Sequence, residues 1–201
     1  QVAGAIRTGL LFEQTQEHAL TDSLTGLPNS RYMFIAFDQE AARARAEGNP
    51  LTLMLMNIDN FREINDSFGH HAGDRFLMGM ARAIRSQLRV CDTCIRYSGD
   101  EFVAILPRLA GDEVDNVVER ITEAARDYCM EARPGRPVQV TLSIGYATLP
   151  ADGEDFESLM ATAATRMEGQ KALHREACLS SGHPRPRRGR VLGDPPHSGR
   201  H

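Results

Sequence analysis

The chain has 201 residues, of which 41% are apolar, so one folded domain with extensions is expected and a true hydrophobic core is within reach. A formal charge of -4 and a pI near 6.0 give no general reason to expect nucleic-acid binding. The four cysteines, Cys91, Cys94, Cys129 and Cys178, make no evident disulfide framework, and no secretory leader or membrane segment is read, so a reduced, cytoplasmic setting is the default expectation.

In chain order, residues 1–20 read as a connector helix, the end of a longer one, with Ile6, Leu10, Phe12 and Leu20 giving partial heptad character. Asn29 or Ser30 caps a helix whose apolar face includes Met33, Phe34, Phe37 and Ala41, and Gly48-Asn49-Pro50 stops it. Leu51 to Met56 is too uniformly apolar for an exposed strand and belongs in the centre of a sheet. A polar cluster, Asn57-Ile58-Asp59-Asn60-Phe61-Arg62-Glu63-Ile64-Asn65-Asp66, follows it. Phe68-Gly69-His70-His71-Ala72-Gly73-Asp74 then leads into a helix marked by Phe76, Leu77, Met80, Ile84 and Leu88.

Cys94 to Tyr97 and Phe102 to Leu106 read as strands joined by a tight turn at Ser98-Gly99, where Gly99 takes positive φ without steric cost. Val114, Val117, Val118, Ile121 and Ala125 mark another helix, and Val138, Val140, Leu142, Ile144 and Tyr146 alternate as one strand. A last helix is expected from about Asp155 to Arg175, and the Pro- and Arg-rich residues 177–201 are expected to form a mobile tail. The sum is an α+β sandwich, a sheet with helices on its faces.

The adjacent carboxylates Asp100 and Glu101 stand at the tip of the expected hairpin. Carboxylates so placed hold a hard cation and leave backbone N–H groups for a phosphate; the alternative is an ordinary solvated turn. Cys91-x-x-Cys94 lacks two further ligands at matching spacing, so its thiols are read as ordinary rather than as a zinc site.

These residues resemble the GGDEF domains, which include diguanylate cyclases. The resemblance runs from Thr21-Asp22-Ser23-Leu24-Thr25-Gly26-Leu27-Pro28-Asn29 through Ile58-Asp59-x-Phe61-Arg62-x-Ile64-Asn65-Asp66 and Gly69-His70-x-x-Gly73-Asp74. It continues through the Ser98-Gly99-Asp100-Glu101-Phe102 signature and Thr141-Leu142-Ser143-Ile144-Gly145-Tyr146-Ala147 to Lys171 and Arg175, giving a domain over residues 21–176. It implies the palm-like, ferredoxin-related fold of nucleotide cyclases, with a largely antiparallel sheet. It also implies condensation of two GTP into cyclic di-GMP by a two-fold dimer with Mg²⁺ or Mn²⁺, and feedback inhibition by the product.

By resemblance, the metal positions are Asn57, the Ile58 carbonyl, Asp100 and Glu101, with the two hairpin acids sharing the roles of ligand and base. Asn65 and Asp74 match the guanine-reading pair, and a carboxylate and an amide do complement guanine's donors and acceptor. His70 matches a nucleotide-contacting position, with a buried structural histidine as the alternative. Ser98, standing for the first glycine of the signature, and Gly99 adjoin the phosphates, and Arg62, Lys171 and Arg175 would contact them. Arg89 and Asp92 match the family's inhibitory Arg-x-x-Asp, with Arg120 as a further contributor and a surface ion pair as the alternative.

Asn57 departs from the family, which has Asp there: an amide offers an oxygen to Mg²⁺ but no charge. Asp59 would share Asn57's strand face and either supplies the missing charge or makes a loop hydrogen bond. The last helix departs further, with Ala164 for Asp, Glu168 for Tyr and His174 for Gly. These departures support a second reading, a non-catalytic module that binds GTP or cyclic di-GMP. The stretch from Ala5 to Glu13 also resembles the last helix of GAF-type sensor domains, which implies an upstream sensor.

Overall fold

The computed structural model describes residues 20–133 and 136–180. The expected connector up to residue 19 and the expected tail beyond Ser180 lie outside the described residues. In order, the elements are α1 (Ser30–Glu47), β1 (Leu51–Ile58), α2 (Phe61–Phe68), α3 (His70–Ser86), β2 (Thr93–Ser98) and β3 (Glu101–Pro107). They continue with α4 (Asp112–Asp127), β4 (Met130–Arg133), β5 (Arg136–Val138), β6 (Leu142–Leu149) and α5 (Phe156–Ser180). The main sheet has the order β2-β3-β1-β6 with every neighbour antiparallel, and β4 and β5 form a separate small hairpin. The α+β fold expected from the resemblance is the one observed.

Period-two alternation assigns each residue of β1 to a helical layer. Met54, Met56 and Ile58 join Phe102, Ala104, Leu142 and Ile144 in a core with α3 and α4. Leu51, Leu53 and Leu55 join Val103, Ile105, Ala147 and Leu149 in a second core with α1 and α5. The next step along that second row is Asn57, whose register partners are Glu101 on β3 and Ser143 on β6. The face covered by α1 and α5 therefore turns from apolar to polar at one end.

Asn29 caps α1, its side-chain oxygen accepting from Arg31 N at 3.0 Å and Tyr32 N at 3.2 Å, and Gly48 closes the helix at φ 68°. Phe34, expected on the buried face, is 51% exposed and leans on the Phe156 ring at 5.0 Å, because Met33, Ala36 and Phe37 already fill the helix's inward stripe. The strand expected over Val138 to Tyr146 is two strands: Val138 ends β5, β6 begins at Leu142, and the intervening residues belong to neither. The last helix runs to Ser180, past Arg175 and into the span expected as tail. Among the described residues no helix is long and apolar enough to cross a membrane.

Candidate functional site

Two segments far apart in sequence meet at the polar end of the sheet. Asn57 pairs in register with Glu101, and Ile58 N donates to the Asp100 carbonyl at 3.2 Å. The hairpin tip therefore lies beside the loop leaving β1, as the acidic pair and the polar cluster require if they serve one site. Gly99 turns the hairpin at φ 45°, and both it and Ser98 are exposed.

Asn57 is 4% exposed, and its Oδ1 is the one buried side-chain oxygen or nitrogen without a hydrogen-bond partner among the described residues. A buried acceptor left unpaired by protein groups is costly, so its position directly across from Glu101 fits a place that receives a donor or a cation. The set of Asn57 Oδ1, the Ile58 carbonyl, Asp100 and Glu101 is all oxygen and suits a hard cation. It also suits Mg²⁺ in particular, which commonly takes one or two carboxylates and completes its shell with substrate phosphates. Among the described residues no three His, Cys, Asp or Glu side chains gather into a cage.

Glu101 and Asp100 are half-buried. Burial pushes the Glu101 carboxyl above its ordinary range; Asp100 and Glu168 add to the rise, while the Lys171 ammonium opposes it. Lys171 thus faces the acidic tip from α5, with Glu168 3.7 Å away on the preceding turn. Lys171, His174 and Arg175 line a small cleft with Asp59, Asn60 and Thr141.

Both carboxylate oxygens of Asp59 are taken up in hydrogen bonds. The residue is buried, Thr141 Oγ1 donates to its Oδ2 at 2.6 Å, and Ser143 Oγ donates to its Oδ1 at 2.7 Å. His174 Nδ1 lies 2.8 Å from Oδ2 and, facing a carboxylate, acts as donor. Of the two expectations for Asp59, the hydrogen-bonded loop residue is the one the geometry supports.

Asn65 lies against Gly73, the residue before Asp74, at the elbow between α2 and α3. Gly73 makes the elbow tight: a Cβ there would lie 2.0 Å from Asn65 Oδ1 and 3.2 Å from the Phe61 ring. Asn65 and Asp74 are both half-buried. His70 is exposed at the start of α3, which removes the buried structural histidine. Arg62 is 92% exposed and pairs loosely with Asp66 at 3.7 Å. Arg175 is exposed, and Lys171 is half-buried.

Arg89 and Asp92 stand apart from this group. Arg89 Nη2 donates to the carbonyl of Pro107, the last residue of β3, whereas Glu101 is the first, so the two sites are about 20 Å apart along the strand. The pair is closed: Asp92, its side chain 1% exposed, accepts from Arg89 Nη2 at 2.7 Å and Arg89 N at 2.8 Å. Arg120 donates to Gln87 O at 2.6 Å, close to the same loop. Cys94 is buried and its thiol is pushed up to about 12 by desolvation, so it is inert beside exposed Cys91.

Sequence reasoning missed the hydrogen bonding of His174 to Asp59 and the bridge from Arg96 to Asp22, 3.0 Å long. His174 stands one helical turn after Lys171, which was the available signal.

The profile of the family described as "Diguanylate cyclase, GGDEF domain" matches residues 19–177. The response regulator PleD of Caulobacter vibrioides is 37% identical over 168 residues, which are 83% of this chain and 37% of PleD. Diguanylate cyclase DgcP of Pseudomonas aeruginosa is 37% identical over 163 residues, 81% of this chain and 23% of DgcP. The chain thus spans little more than a third of the length of these relatives at most. Among solved structures, the coiled coil and GGDEF domain of DgcB from Caulobacter crescentus, in complex with c-di-GMP, superposes with a TM-score of 0.78 at 27% identity, covering 85% of this chain and 90% of that one.

Proposed function

The chain belongs to the GGDEF family, and on that premise we propose that it is a diguanylate cyclase: it joins two GTP into cyclic di-GMP and releases two pyrophosphates. The observation that carries this reading is the register of Asn57 with Glu101, which sets an unpaired buried oxygen against the acidic hairpin tip. Each new bond forms when a ribose 3′-oxygen attacks the α-phosphorus of the other nucleotide in line with the leaving pyrophosphate. The 3′-proton passes to Asp100 or Glu101. Lys171 and Arg175 draw the triphosphate in from α5, with Arg62 and the exposed Ser98-Gly99 turn beside it.

Asn65 and Asp74 read the guanine edge, and His70 adjoins the nucleotide. Asn57 Oδ1, the Ile58 carbonyl, Asp100 and Glu101 would hold Mg²⁺ or Mn²⁺, which would supply charge neutralisation for the reacting phosphates. One subunit holds one GTP, so turnover requires two subunits facing each other as a two-fold dimer. Product restrains the enzyme at Arg89, Asp92 and Arg120.

The purified chain, incubated at high concentration with GTP and either cation, is expected to yield cyclic di-GMP by chromatography. Absence of product with both cations overturns the reading.

A second reading, a module that binds GTP or cyclic di-GMP without turnover, is favoured by the neutral amide at Asn57. It requires nucleotide binding with no product, and product on replacement of Asn57 by Asp.

A further inference from the structure

Among the described side chains, buried apolar residues hold α5 to the sheet as far as Met167. Up to there the fit is close: a Cβ on Gly145 would meet the Ala163 carbonyl at 2.1 Å and Met167 N at 2.4 Å, so the helix backbone lies directly on β6. Leu159, Ala163 and Met167 are buried. Beyond them, Leu173 is 65% exposed and anchors nothing. Lys171 and Arg175, the cations proposed to meet phosphate, lie in this span beyond the buried apolar contacts.

Polar ties replace the apolar ones. The Gln170 side-chain oxygen accepts from Ile144 N, and His174 Nδ1 reaches Asp59 Oδ2 at 2.8 Å with Ser143 Oγ at 3.2 Å. Met167, Gln170, Lys171 and His174 recur at helical spacing and share one face of α5. Asp59 is a rigid anchor, since Thr141 and Ser143 also donate to it and its own N–H donates to Thr141 O at 2.9 Å. It directly follows Ile58 in the segment that carries the oxygen set.

We propose that His174 is a positioning residue: by donating to Asp59 it ties the last turns of α5 to the end of β1 and so sets where Lys171 and Arg175 meet a triphosphate. The proposal rests on reading the site as a GTP site. Without the tie, the helix beyond Met167 loses its link to the end of β1 and keeps the Gln170 bond to Ile144 on β6. A cation shifted by an ångström or so loses the short, directional contact that makes it worth more than a diffuse charge. The His174 side chain is partly exposed, so its loss leaves the two cores intact.

The test measures binding by calorimetry on the full chain with Mg²⁺, using two probes. One is a GTP analogue with a methylene in place of the α–β bridging oxygen, and the other is GMP, which keeps the guanine but lacks the β- and γ-phosphates. Affinity for the analogue is expected to fall about tenfold in His174→Ala and His174→Leu, while GMP affinity stays within about twofold. His174→Asn, whose amide N–H can replace Nδ1 as donor to Asp59, is expected to restore the analogue's affinity. Both deletions remove the donor, so either one that folds suffices.

Unchanged analogue affinity in the deletion variants overturns the positioning role and leaves the GTP reading standing. Equal losses for the analogue and GMP overturn it as well, because they report damage to the whole pocket. A wild-type chain that binds neither probe overturns the GTP reading, and the proposal with it.

Discussion

Arg96 ties the segment before α1 to the acidic hairpin: its Nη1 lies 3.0 Å from Asp22 Oδ1, while its Nε and Nη2 both donate to the Gly99 carbonyl. One guanidinium therefore holds the turn that presents Asp100 and Glu101. Arg96→Lys keeps the charge but loses the fork, so cyclase activity is expected to fall while stability drops by about 1–2 kcal/mol, measured by urea unfolding. The pH dependence has a definite sign. Burial raises the Asp22 carboxyl, but hydrogen bonds from Thr25 and Arg96 outweigh it and hold the group below its ordinary 3.8. Its stabilisation is complete above that value and is lost as pH falls through the depressed folded pKa. Asp22→Asn should flatten this acid limb of the unfolding profile.

The unpaired oxygen of Asn57 leads to a prediction with two opposed signs. Asn57→Asp places a carboxylate across from Glu101, whose own carboxyl is already raised by burial and by Asp100. Without divalent cation the like charges repel, and the variant is expected to be less stable than wild type at neutral pH by about 1–2 kcal/mol. With Mg²⁺ the order reverses, and cyclic di-GMP formation is expected to rise about tenfold or more. Denaturant melts with and without Mg²⁺, alongside chromatography of the reaction, separate the two effects. Equal activity in wild type and variant would show that Asn57 is no handicap.

The parts of this molecule that the sequence exposes are those whose signal is local. Leu51 to Met56 announces a central strand because both of its faces are buried, and Ser98-Gly99 announces the hairpin because the turn needs one residue at positive φ. α2 is hard to read as a helix because it is only eight residues long: Phe61, Ile64 and Phe68 recur at helical spacing, but over two turns, and Asn60 makes no side-chain cap. The β4–β5 hairpin is as short, and Val138 belongs to it although it continues β6's alternation in sequence. The acidic pair at the site was visible at once, but its opposition to Asn57 is a matter of register between distant strands. His174 and Asp59 are 115 residues apart, and nothing local in either segment announces their contact.

At the far end of β3 the closed pair of Arg89 and Asp92 constrains any inhibitory role. The hydrogen bonds that Arg89 donates to the Asp92 carboxylate hold its guanidinium above its ordinary range, and Asp92 is buried. Arg89→Ala leaves the Asp92 carboxylate buried with fewer donors, so stability is expected to fall by about 1–3 kcal/mol. If product binds here, inhibition by added cyclic di-GMP is lost in the same variant. Asp92→Asn keeps the shape of the loop but removes the charge, so it should weaken inhibition with a smaller loss of stability. Initial rates over a product titration, run with melts of both variants, check this; inhibition undiminished in both would place the inhibitory site elsewhere.

Gly73 offers the sharpest separation of folding from recognition. A methyl group there would stand 2.0 Å from Asn65 Oδ1, too close to coexist, yet the obstacle is the free end of a side chain, which can rotate away. Within a helix, Gly to Ala is itself favourable by roughly 0.5–1 kcal/mol, so Gly73→Ala is expected to be about as stable as wild type in urea. On the proposed reading, the displaced Asn65 no longer meets the guanine edge. KM for GTP should therefore rise about tenfold, with a smaller change in kcat and weaker preference for GTP over ATP in competition binding. Restoring room from the other side, by Asn65→Ser in the Gly73→Ala background, should relieve the crowding without recovering KM. A Gly73→Ala chain with unchanged KM would mean that Asn65 takes no part in binding the base.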